Sequence, residues 1–463
     1  MATVLNAKGV PLPYSGSSVK WYSATNSGPT LYGSLYNDSI YGDGNVTVTM
    51  YGRKGDDIYY LYSSKNKAVE LPNEGVDTIS TWMSYTLPAN FENLTVTGDK
   101  RYAFGNELNN IITGGSGQQT IDGLQGDDVL KGGSGADIFV VTEGNGSDLI
   151  LDFRAEDSVR VGSYGFTSFE EVRANMVQSG ANVRLNLSDD EFLVFANKTI
   201  GEFTASQFKL AVDRSELELT FSDEFDTLNL WNGTSGTWDS NFPWGAANGS
   251  SITTANELQW YIDTDYAPTS SVNPFSVEDG VLTITAAQAP AAIRPYINNY
   301  QYTSGVLTTY ESFTQTYGYF EIRADMPETK GVWPAFWLLP ADGSWPPELD
   351  VIEMFGQDPN KLILTAHSNA TGTHTKVGST AYTADTEGFH TYGVLWTEDE
   401  LVWYFDDVEV ARAATPADMH DPMYMVVNMG VGGLAGAPAD GLATPAEMQI
   451  DYIHAYALND WVI

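Results

Sequence analysis

Three carboxylic acids, Glu348, Asp350 and Glu353, lie close together in the apolar, β-prone segment WPPELDVIEMFG. Charged residues inside such a segment are costly unless they face a solvated cleft. In a regular strand Glu348 and Asp350 share a face, whereas Glu353, five positions after Glu348, points to the opposite face. A β-bulge near Val351 or Ile352 restores the alternation. We therefore expect a bulged strand that presents all three carboxylates to one groove.

Ionising all three neighbouring carboxyl groups costs electrostatic free energy, so their repulsion raises the pKa of at least one of them and couples their titrations. Retaining glycoside hydrolysis requires such a set, with an ionised nucleophile and a protonated acid about 5 to 5.5 Å apart. In this interpretation Glu348 attacks the anomeric carbon, Glu353 protonates the leaving oxygen and later activates water, and Asp350 tunes the nucleophile. The spacing E-x-D-x-x-E also arises by chance in acidic proteins, and alone it favours an ordinary solvated strand.

A nine-residue repeat runs without interruption through residues 105–140 as GNELNNIIT, GGSGQQTID, GLQGDDVLK and GGSGADIFV. Each unit opens with glycine, which permits a tight turn, and has an apolar residue at position eight, which suits an inward-facing strand. The residues at position six are Asn110, Gln119, Asp128 and Asp137. A less regular copy upstream places Asp57 at the same position. Oxygen ligands of this kind favour calcium, more weakly at the two amides. The pattern predicts a parallel β-roll holding several structural Ca²⁺ ions, the alternative being glycine-rich loops that bind nothing.

Composition excludes several function classes. The chain has 463 residues, with 60 Asp or Glu against 22 Lys or Arg, and a formal charge of −38, which argues against binding nucleic acid. It has no cysteine, so no disulfide, thiolate nucleophile or Cys-ligated zinc site can form. No apolar stretch approaches the roughly 18 residues of a membrane span. The first residues lack the basic head and apolar core of a cleavable signal peptide.

The character of the chain changes near residue 215. Glycine–aspartate repeats precede it, whereas strand-like alternations such as LELTF and VLTIT follow it, with ten of the 12 Trp and all five His. We predict an all-β protein with a lead-in at 1–29, a calcium-binding β-roll at 30–215, a β-sandwich at 216–459 and a short terminal segment at 460–463.

The repeats resemble the RTX-type calcium-binding nonapeptide repeats of proteins exported by type I secretion systems. The likeness extends through VDTISTWMSYTLPANFENLTVTG and GADIFVVTEGNGSDLILDFRAEDSVRVG and covers about residues 30–210. By that resemblance Asp148 and Asp152 are calcium ligands at the end of the roll, the alternative being ordinary turn carboxylates. It also implies a partner, the type I secretion apparatus, and a secreted, extracellular protein. Residues 460–463 resemble the uncleaved C-terminal address of that route, or are an ordinary strand end.

The second half of the chain resembles glycoside hydrolase family 16. The catalytic segment stands among further landmarks in the family's order, including FSDEFD, NELQWY, YTSGVLTT, YGYFEIRADMP, GVWPAFWLLP, YMVVNMGVGG and MQIDYIHAY. The resemblance implies a concanavalin-like β-jelly-roll sandwich with a substrate channel. It further implies endo-acting, retaining hydrolysis of a β-linked polysaccharide, with the three acids in the roles given above.

Aromatic residues near the three acids are candidate sugar contacts. Trp333 and Trp337 lie four positions apart on a predicted strand and share a face that suits the apolar surface of a pyranose. Trp337 is as readily a core residue. Trp345, just before the catalytic strand, is a third candidate.

Polar residues matching the family's cleft positions are Asn256, Arg323, His367 and Asn428. The alternative for each is a structural polar group, and for Arg323 an ion pair with a neighbouring acid. The remaining histidines, including His374, show no metal-ligand spacing and are interpreted as structural.

The resemblance also implies a calcium site on the sandwich, formed by Asp451, Glu224 and the backbone near Gly280. Val306 and Leu307 stand where many β-1,3-glucanase members have a basic residue, which disfavours laminarin as substrate. The pairing with a calcium roll resembles secreted rhizobial endo-glycanases that cut succinoglycan, an acidic exopolysaccharide. We therefore predict a retaining endo-β-glycanase acting on a β-1,3/1,4-linked polysaccharide. The alternatives are a mixed-linkage β-glucanase, a laminarinase, or a non-catalytic polysaccharide-binding adhesin.

Overall fold

A computed structural model describes residues 4–5, 8, 11–12, 20–23 and 30–459. The chain forms two compact units, Met1–Ala211 and Val212–Ile463. The boundary between them lies four residues before the predicted one, which followed residue 215. The predicted terminal segment 460–463 and most of the predicted lead-in lie outside the described residues. Within the described residues the fold is almost entirely β, as predicted. One short α-helix spans Phe169–Ala174. The 3₁₀ turns are Gly162–Tyr164, Ile200–Glu202, Ala205–Gln207, Thr253–Ala255, Ala267–Thr269, Arg294–Tyr296 and Gly433–Ala435.

The first unit is a parallel β-roll, as predicted. Its largest sheet contains, in spatial order, Lys20–Ser23, Asp38–Tyr41, Ile58–Leu61, Thr78–Thr81, Asn93–Val96, Ile111–Thr113, Val129–Lys131, Leu149–Ile150, Phe192–Phe195, Asn182–Asn186 and Met176–Ser179. A second sheet contains Tyr85–Thr86, Arg101–Phe104, Gln119–Asp122, Ile138–Val140, Ser158–Arg160 and Phe208–Lys209. A third contains Thr30–Tyr32, Val48–Tyr51 and Asn66–Val69, and a separate antiparallel pair is formed by Val4–Leu5 and Pro11–Leu12.

Two repeats make one turn of the roll. Ile112 pairs with Leu130 in one sheet, and Ile121 pairs with Phe139 in the other. These four residues occupy position eight of their repeats, and all are fully buried between the sheets. The apolar residues therefore form the core of the roll because the repeat period places each on an inward-facing strand position.

Glycine is required where successive turns stack closely. Gly133 has φ +93°, and a Cβ atom there would lie 2.1 Å from the carbonyl oxygen of Gly115 on the preceding turn. A side chain would therefore separate the turns.

The second unit is a β-jelly-roll sandwich, as predicted. One sheet contains Gln259–Tyr261, Tyr302–Ser304, Val281–Gln288, Ala446–Leu458, Gly318–Asp325, His390–Trp396, Glu400–Phe405 and Val408–Ala414, with Leu217–Asp223 and Phe275–Glu278 paired beside it. The other sheet, called here the cleft sheet, contains Val306–Thr308, Met423–Val431, Val332–Pro340, Glu348–Glu353, Lys361–Ser368 and Thr375–Tyr382.

The core of the sandwich lies between these two sheets. Phe320 and Ile322 from the first sheet belong to the same buried cluster as Phe336 and Leu338 from the cleft sheet. Because neighbouring side chains alternate along a strand, the opposite face of the cleft sheet remains available for a site. In the described residues, no helix is both long and apolar enough to cross a membrane.

Candidate active site

The catalytic strand, Glu348–Glu353, contains the predicted β-bulge. Trp337 on the adjacent strand pairs with Asp350, whereas Phe336 pairs with Ile352, so the register passes over Val351. The strand on the other side shows the same irregularity. Val351 and Ile352 are both fully buried. The extra residue, Val351, packs in the core, so the side chains of Asp350 and Glu353 on either side of the bulge point to the same face.

A buried indole from the opposite sheet fixes the bulge. The Nε1–H of Trp403 donates a hydrogen bond of 2.8 Å to the backbone carbonyl oxygen of Asp350. A bulge turns a backbone group out of the ladder, and a buried carbonyl without a donor is unfavourable. Trp403 therefore satisfies the group that the bulge releases. No local pattern in the sequence indicates the role of Trp403, because its partner is 53 positions away.

The three carboxylates line a cleft of about 750 Å³ on the exposed face of the cleft sheet. Six of the seven predicted substrate contacts also line it: Asn256, Trp333, Trp337, Trp345, His367 and Asn428. Trp337 is only 8% exposed, yet it faces the cleft. It is therefore both a buried core residue and a candidate sugar contact. A cleft lined by aromatic rings and a few convergent polar groups is typical of a carbohydrate-binding site.

Each of the two glutamates accepts a hydrogen bond from a tryptophan. The Trp345 indole donates to Glu348 Oε2 at 2.6 Å, and the Trp333 indole donates to Glu353 Oε1 at 3.0 Å. Trp345 is 58% exposed, so its ring can also contact a ligand. The aromatic residues therefore orient the carboxylates as well as forming the walls of the cleft.

His367 lies beside the first two acids. Its Nε2 atom is 3.6 Å from Glu348 Oε1 and 3.4 Å from Asp350 Oδ2. Its Nδ1 atom is 2.9 Å from Nε2 of His374, so one ring donates to the other. Burial lowers the pKa of His367. His374 was interpreted as structural; this was wrong, because His374 lines the cleft as the neighbour of His367.

Burial, followed by repulsion from neighbouring carboxylates, raises the pKa of all three acids. The pKa of Glu348 rises to about 8 and that of Glu353 to about 7, and the pKa of Asp350 lies well above its usual range. Asp350 is 2% exposed. The cleft therefore retains protons near neutral pH, as general-acid catalysis requires.

A hydrogen-bonded chain beneath the cleft holds Trp337 in place. The Trp337 indole donates to Asn428 Oδ1 at 2.7 Å, and the Asn428 amide donates to the Tyr261 hydroxyl oxygen at 2.7 Å. The Tyr261 hydroxyl donates in turn to Glu257 Oε1 at 2.9 Å. Burial raises the pKa of Glu257 to about 7. The segment NELQWY gave a signal for Glu257 and Tyr261, but nothing in the sequence connected them to Asn428.

Trp244 also lines the cleft and was not among the residues predicted from the sequence. Its ring is 57% exposed and stacks on Phe242, with centroids 4.6 Å apart and an interplanar angle of 13°. An isolated Trp in a loop carries no periodic signal. Trp244 nonetheless adds an exposed aromatic surface to the wall of the cleft.

Arg323 was predicted to contact substrate, and this prediction was wrong. Arg323 belongs to the sheet opposite the cleft sheet, where its guanidinium pairs with Asp451 and lies over the ring of Phe389 at 5.1 Å. The alternative reading, an ion pair within an acidic domain, is the one observed.

The predicted calcium ligands of the sandwich are engaged elsewhere. Asp451 is the partner of Arg323, and Glu224 Oε1 lies 2.6 Å from His454 Nε2. A Cβ atom at Gly280 would lie 3.7 Å from the backbone carbonyl oxygen of Glu224, so the backbones of these two residues are neighbours. Both carboxylates are thus paired with basic side chains, and the calcium site formed by Asp451, Glu224 and the backbone near Gly280 stays a prediction.

In the roll, position-six carboxylates link neighbouring turns by accepting a backbone hydrogen bond. Asp128 Oδ1 accepts from the backbone N–H of Asn110 at 2.6 Å, and Asp148 Oδ1 accepts from that of Asp128 at 3.0 Å. The second oxygens of Asp57, Asp128 and Asp137 are buried and have no hydrogen-bond partner. A buried carboxylate oxygen without a donor fits a cation ligand, so these residues fit calcium.

Two predicted ligands differ from that pattern. The Asn110 amide donates to the carbonyls of Phe91 and Glu92 at 3.1 and 3.2 Å, while its oxygen accepts from the backbone. Asn110 therefore replaces an ion with internal hydrogen bonds, which corrects its prediction as a ligand. Asp152 uses its two oxygens to accept from the N–H groups of Gly132 and Gly133.

A further buried acidic cluster lies in the less regular part of the roll. Carboxylate oxygens of Asp57, Glu70 and Asp77 lie within 4.8 Å of one another, and all three residues are buried. Burial raises the pKa of Asp77 to about 9 and that of Glu70 to about 8. A divalent cation would offset the repulsion within this set. The sequence indicated only Asp57, because Glu70 and Asp77 fall outside the nonapeptide pattern.

A β-sandwich with two partly buried glutamates and an intervening buried aspartate on a bulged strand, at the base of an aromatic cleft, defines a glycoside hydrolase. Comparison with known sequences agrees. Residues 262–454 match the profile of glycosyl hydrolases family 16, and residues 30–45 and 104–150 match the RTX calcium-binding nonapeptide repeat in four copies.

The chain belongs to glycosyl hydrolase family 16 and carries RTX calcium-binding repeats. It is 66% identical over 462 residues to endo-1,3-1,4-beta-glycanase ExsH of Rhizobium meliloti, covering 100% of this chain and 99% of that protein. It is 61% identical to endo-1,3-1,4-beta-glycanase EglC of the same organism, with the same coverage. A beta-glucanase of Rhodothermus marinus is 32% identical, over 53% of this chain and 89% of its own length.

Proposed function

We propose that the protein is a retaining endo-β-glycanase that cleaves a β-1,3/1,4-linked polysaccharide, with a bacterial exopolysaccharide such as succinoglycan as its substrate. The observation that carries the proposal is the placement of Glu348 and Glu353 on one bulged strand at the base of an aromatic cleft, each holding an indole donor. The names of the two full-length relatives, both endo-1,3-1,4-beta-glycanases, support the choice of linkage.

The reaction takes two steps. The three carboxyl groups titrate as a coupled set, and the reactive form is the one in which Glu348 has lost its proton while Glu353 keeps one. In that form Glu348, held by the Trp345 indole, attacks the anomeric carbon while Glu353 delivers its proton to the leaving glycosidic oxygen. Glu353, now ionised, removes a proton from water, which attacks the anomeric carbon and releases Glu348. Because the configuration inverts twice, the product retains the β-configuration. Asp350 and His367 adjoin Glu348 and position it.

Release of reducing ends from mixed-linkage β-glucan, laminarin and succinoglycan tests the proposal. Glu348→Gln and Glu353→Gln are each expected to lose at least about 10³-fold in kcat, whereas Glu447→Gln, an exposed acid outside the cleft, keeps wild-type activity. Proton NMR of the first product should show the β-anomer. Equal activity of Glu348→Gln and wild type would show the catalytic assignment to be wrong.

Chemical rescue separates the two glutamate roles. With an activated aryl β-glycoside, whose leaving group departs without a proton, azide should restore turnover to Glu353→Ala with a β-glycosyl azide product, because the anion attacks the glycosyl-enzyme without a general base. Azide should give an α-glycosyl azide with Glu348→Ala, because there it attacks in place of the nucleophile. An α-glycosyl azide from Glu353→Ala and a β-glycosyl azide from Glu348→Ala would show that Glu353 is the nucleophile and Glu348 the acid and base. Binding of all three polysaccharides without cleavage would favour the polysaccharide-binding adhesin.

We further propose that several Ca²⁺ ions stabilise the roll and that a type I apparatus exports the protein from the cell. The buried, unpartnered oxygens of Asp57, Asp128 and Asp137 support the first part, and the RTX repeats support the second. Expression with and without a type I exporter, followed by activity measurements on medium and cells, tests the route. Equal amounts in the medium in both cases would refute it.

A further inference from the structure

Lys376 is a cation on the wall of the cleft. It lies on the edge strand Thr375–Tyr382, directly opposite His367 on the adjacent strand. Opposite residues on neighbouring strands project to the same face, so Lys376 shares the face on which His367 contacts the catalytic acids. Both residues line the cleft. Among the described residues lining it, Lys376 is the one lysine or arginine.

The surroundings of Lys376 are strongly acidic. After residue 215 the chain has 34 Asp or Glu and 6 Lys or Arg, a net charge of −28. Such a domain repels an anionic chain unless a local positive charge receives it. The cleft itself contains four acids, Glu257, Glu348, Asp350 and Glu353.

No acid among the described residues of the sandwich neutralises Lys376. In residues 212–459, Arg412 pairs with two glutamates and Arg323 pairs with Asp451. Lys376 is exposed, and no carboxylate of the described residues lies within 4.0 Å of its ammonium group. A flexible, unpaired ammonium at the end of a substrate cleft is available to a ligand.

We propose that Lys376 forms a subsite for an anionic substituent, a carboxylate carried by a sugar unit of the polysaccharide, at the edge-strand end of the cleft. The subsite rests on the proposed glycanase function and specifies its substrate class. Lys376 is two strands from the catalytic strand, or about 10 Å at about 4.8 Å per strand. The recognised group therefore belongs to a unit near the cleaved bond rather than to the bond itself.

Lys376 also influences the catalytic acids electrostatically. Its charge contributes to lowering the pKa of Asp350 and Glu353 against the larger effect of burial. Loss of this influence alone would change the hydrolysis of neutral and anionic substrates equally. A subsite, in contrast, changes their ratio. The two effects are distinguished by comparing substrates that share a backbone.

The experiment uses mixed-linkage β-glucan and the same glucan lightly carboxymethylated. For the full-length protein in calcium, kcat/KM is measured on both glucans with wild type, Lys376→Gln, Lys376→Arg and Lys330→Gln. Lys330 is exposed and lies outside the cleft, so its substitution removes the same charge from the same domain.

Lys376→Gln is expected to reduce the ratio of kcat/KM on carboxymethylated to neutral glucan by about three- to tenfold, mainly through KM. Lys376→Arg should keep the ratio within about twofold of wild type, and Lys330→Gln should leave it unchanged. Raising the ionic strength should reduce the difference between wild type and Lys376→Gln. An unchanged ratio in Lys376→Gln, or an equal fall in Lys330→Gln, would overturn the subsite. Wild-type cleavage of the neutral glucan establishes the glycanase function separately.

Discussion

Removing the indole donor to Glu353 is expected to make the enzyme active at higher pH. Trp333 donates a hydrogen bond of 3.0 Å to Glu353 Oε1. This bond stabilises the ionised carboxylate more than the neutral acid, and so lowers the pKa of Glu353 against the larger effect of burial. Trp333→Phe keeps an aromatic ring but removes the donor, so the pKa of Glu353 rises.

The size of the change follows from the strengths of the two hydrogen bonds. A bond to a charged group contributes about 1.5–3 kcal/mol and a neutral one about 0.5–1.5 kcal/mol. The difference of about 1 kcal/mol corresponds to a pKa increase of about 0.7. Glu353 must be protonated to act as the acid, so activity is lost as pH rises through its pKa. The alkaline limb of kcat/KM in Trp333→Phe should therefore lie about 0.5–1 pH unit above that of wild type.

The assay is reducing-sugar release from neutral mixed-linkage β-glucan at substrate concentrations below KM, over about pH 5 to 10. Trp337→Phe is the matched control, because the Trp337 indole donates to Asn428 rather than to a carboxylate. It should weaken substrate binding and leave the alkaline limb in place. If the limb of Trp333→Phe coincides with wild type, or moves to lower pH, the indole does not control the pKa of the acid.

Three further outcomes follow from the structure. Chelation of calcium should abolish the circular dichroism signal of the folded roll, and a spectrum unaffected by excess chelator would contradict this. Asp128→Asn should raise several-fold the calcium concentration at which half of the roll is folded, whereas Asp189→Asn, at an exposed acid, should leave that concentration unchanged. Trp403→Phe should destabilise the sandwich by about 1–3 kcal/mol, because the buried Asp350 carbonyl loses its donor, and calorimetry should show a lower Tm together with lower kcat. Arg323→Ala should leave KM within about twofold of wild type in steady-state assays, since Arg323 lies on the sheet opposite the cleft; a tenfold increase would return it to the substrate contacts.

Features of the fold that follow from a repeat or from the alternation of side chains along a strand were predictable from the sequence. The nonapeptide period determines which residues face the core of the roll, and it correctly indicated Ile112, Ile121, Leu130 and Phe139. The bulge was also predictable, because a charged residue in a buried strand must be brought back into phase with the cleft.

Features that depend on long-range contacts were not predictable. The chain from Trp337 through Asn428 to Tyr261 joins three strands whose adjacency no local pattern encodes. Arg323 was misplaced for a related reason, since alternation along a strand does not reveal which of two sheets contains that strand. Lys376 gave no signal because a single lysine becomes informative only when its acidic neighbours are known.

The bulge and Trp403 depend on each other. Without Val351 the segment would read E-L-D-I-E, which an unbroken strand places on one face by simple alternation. No backbone carbonyl would then turn toward the opposite sheet, and the indole of Trp403 would be left as a buried donor without an acceptor. The extra residue and the indole are therefore a matched pair. A related chain on this fold should contain both or neither, and a change in one alone carries the cost of a buried polar group that has lost its partner.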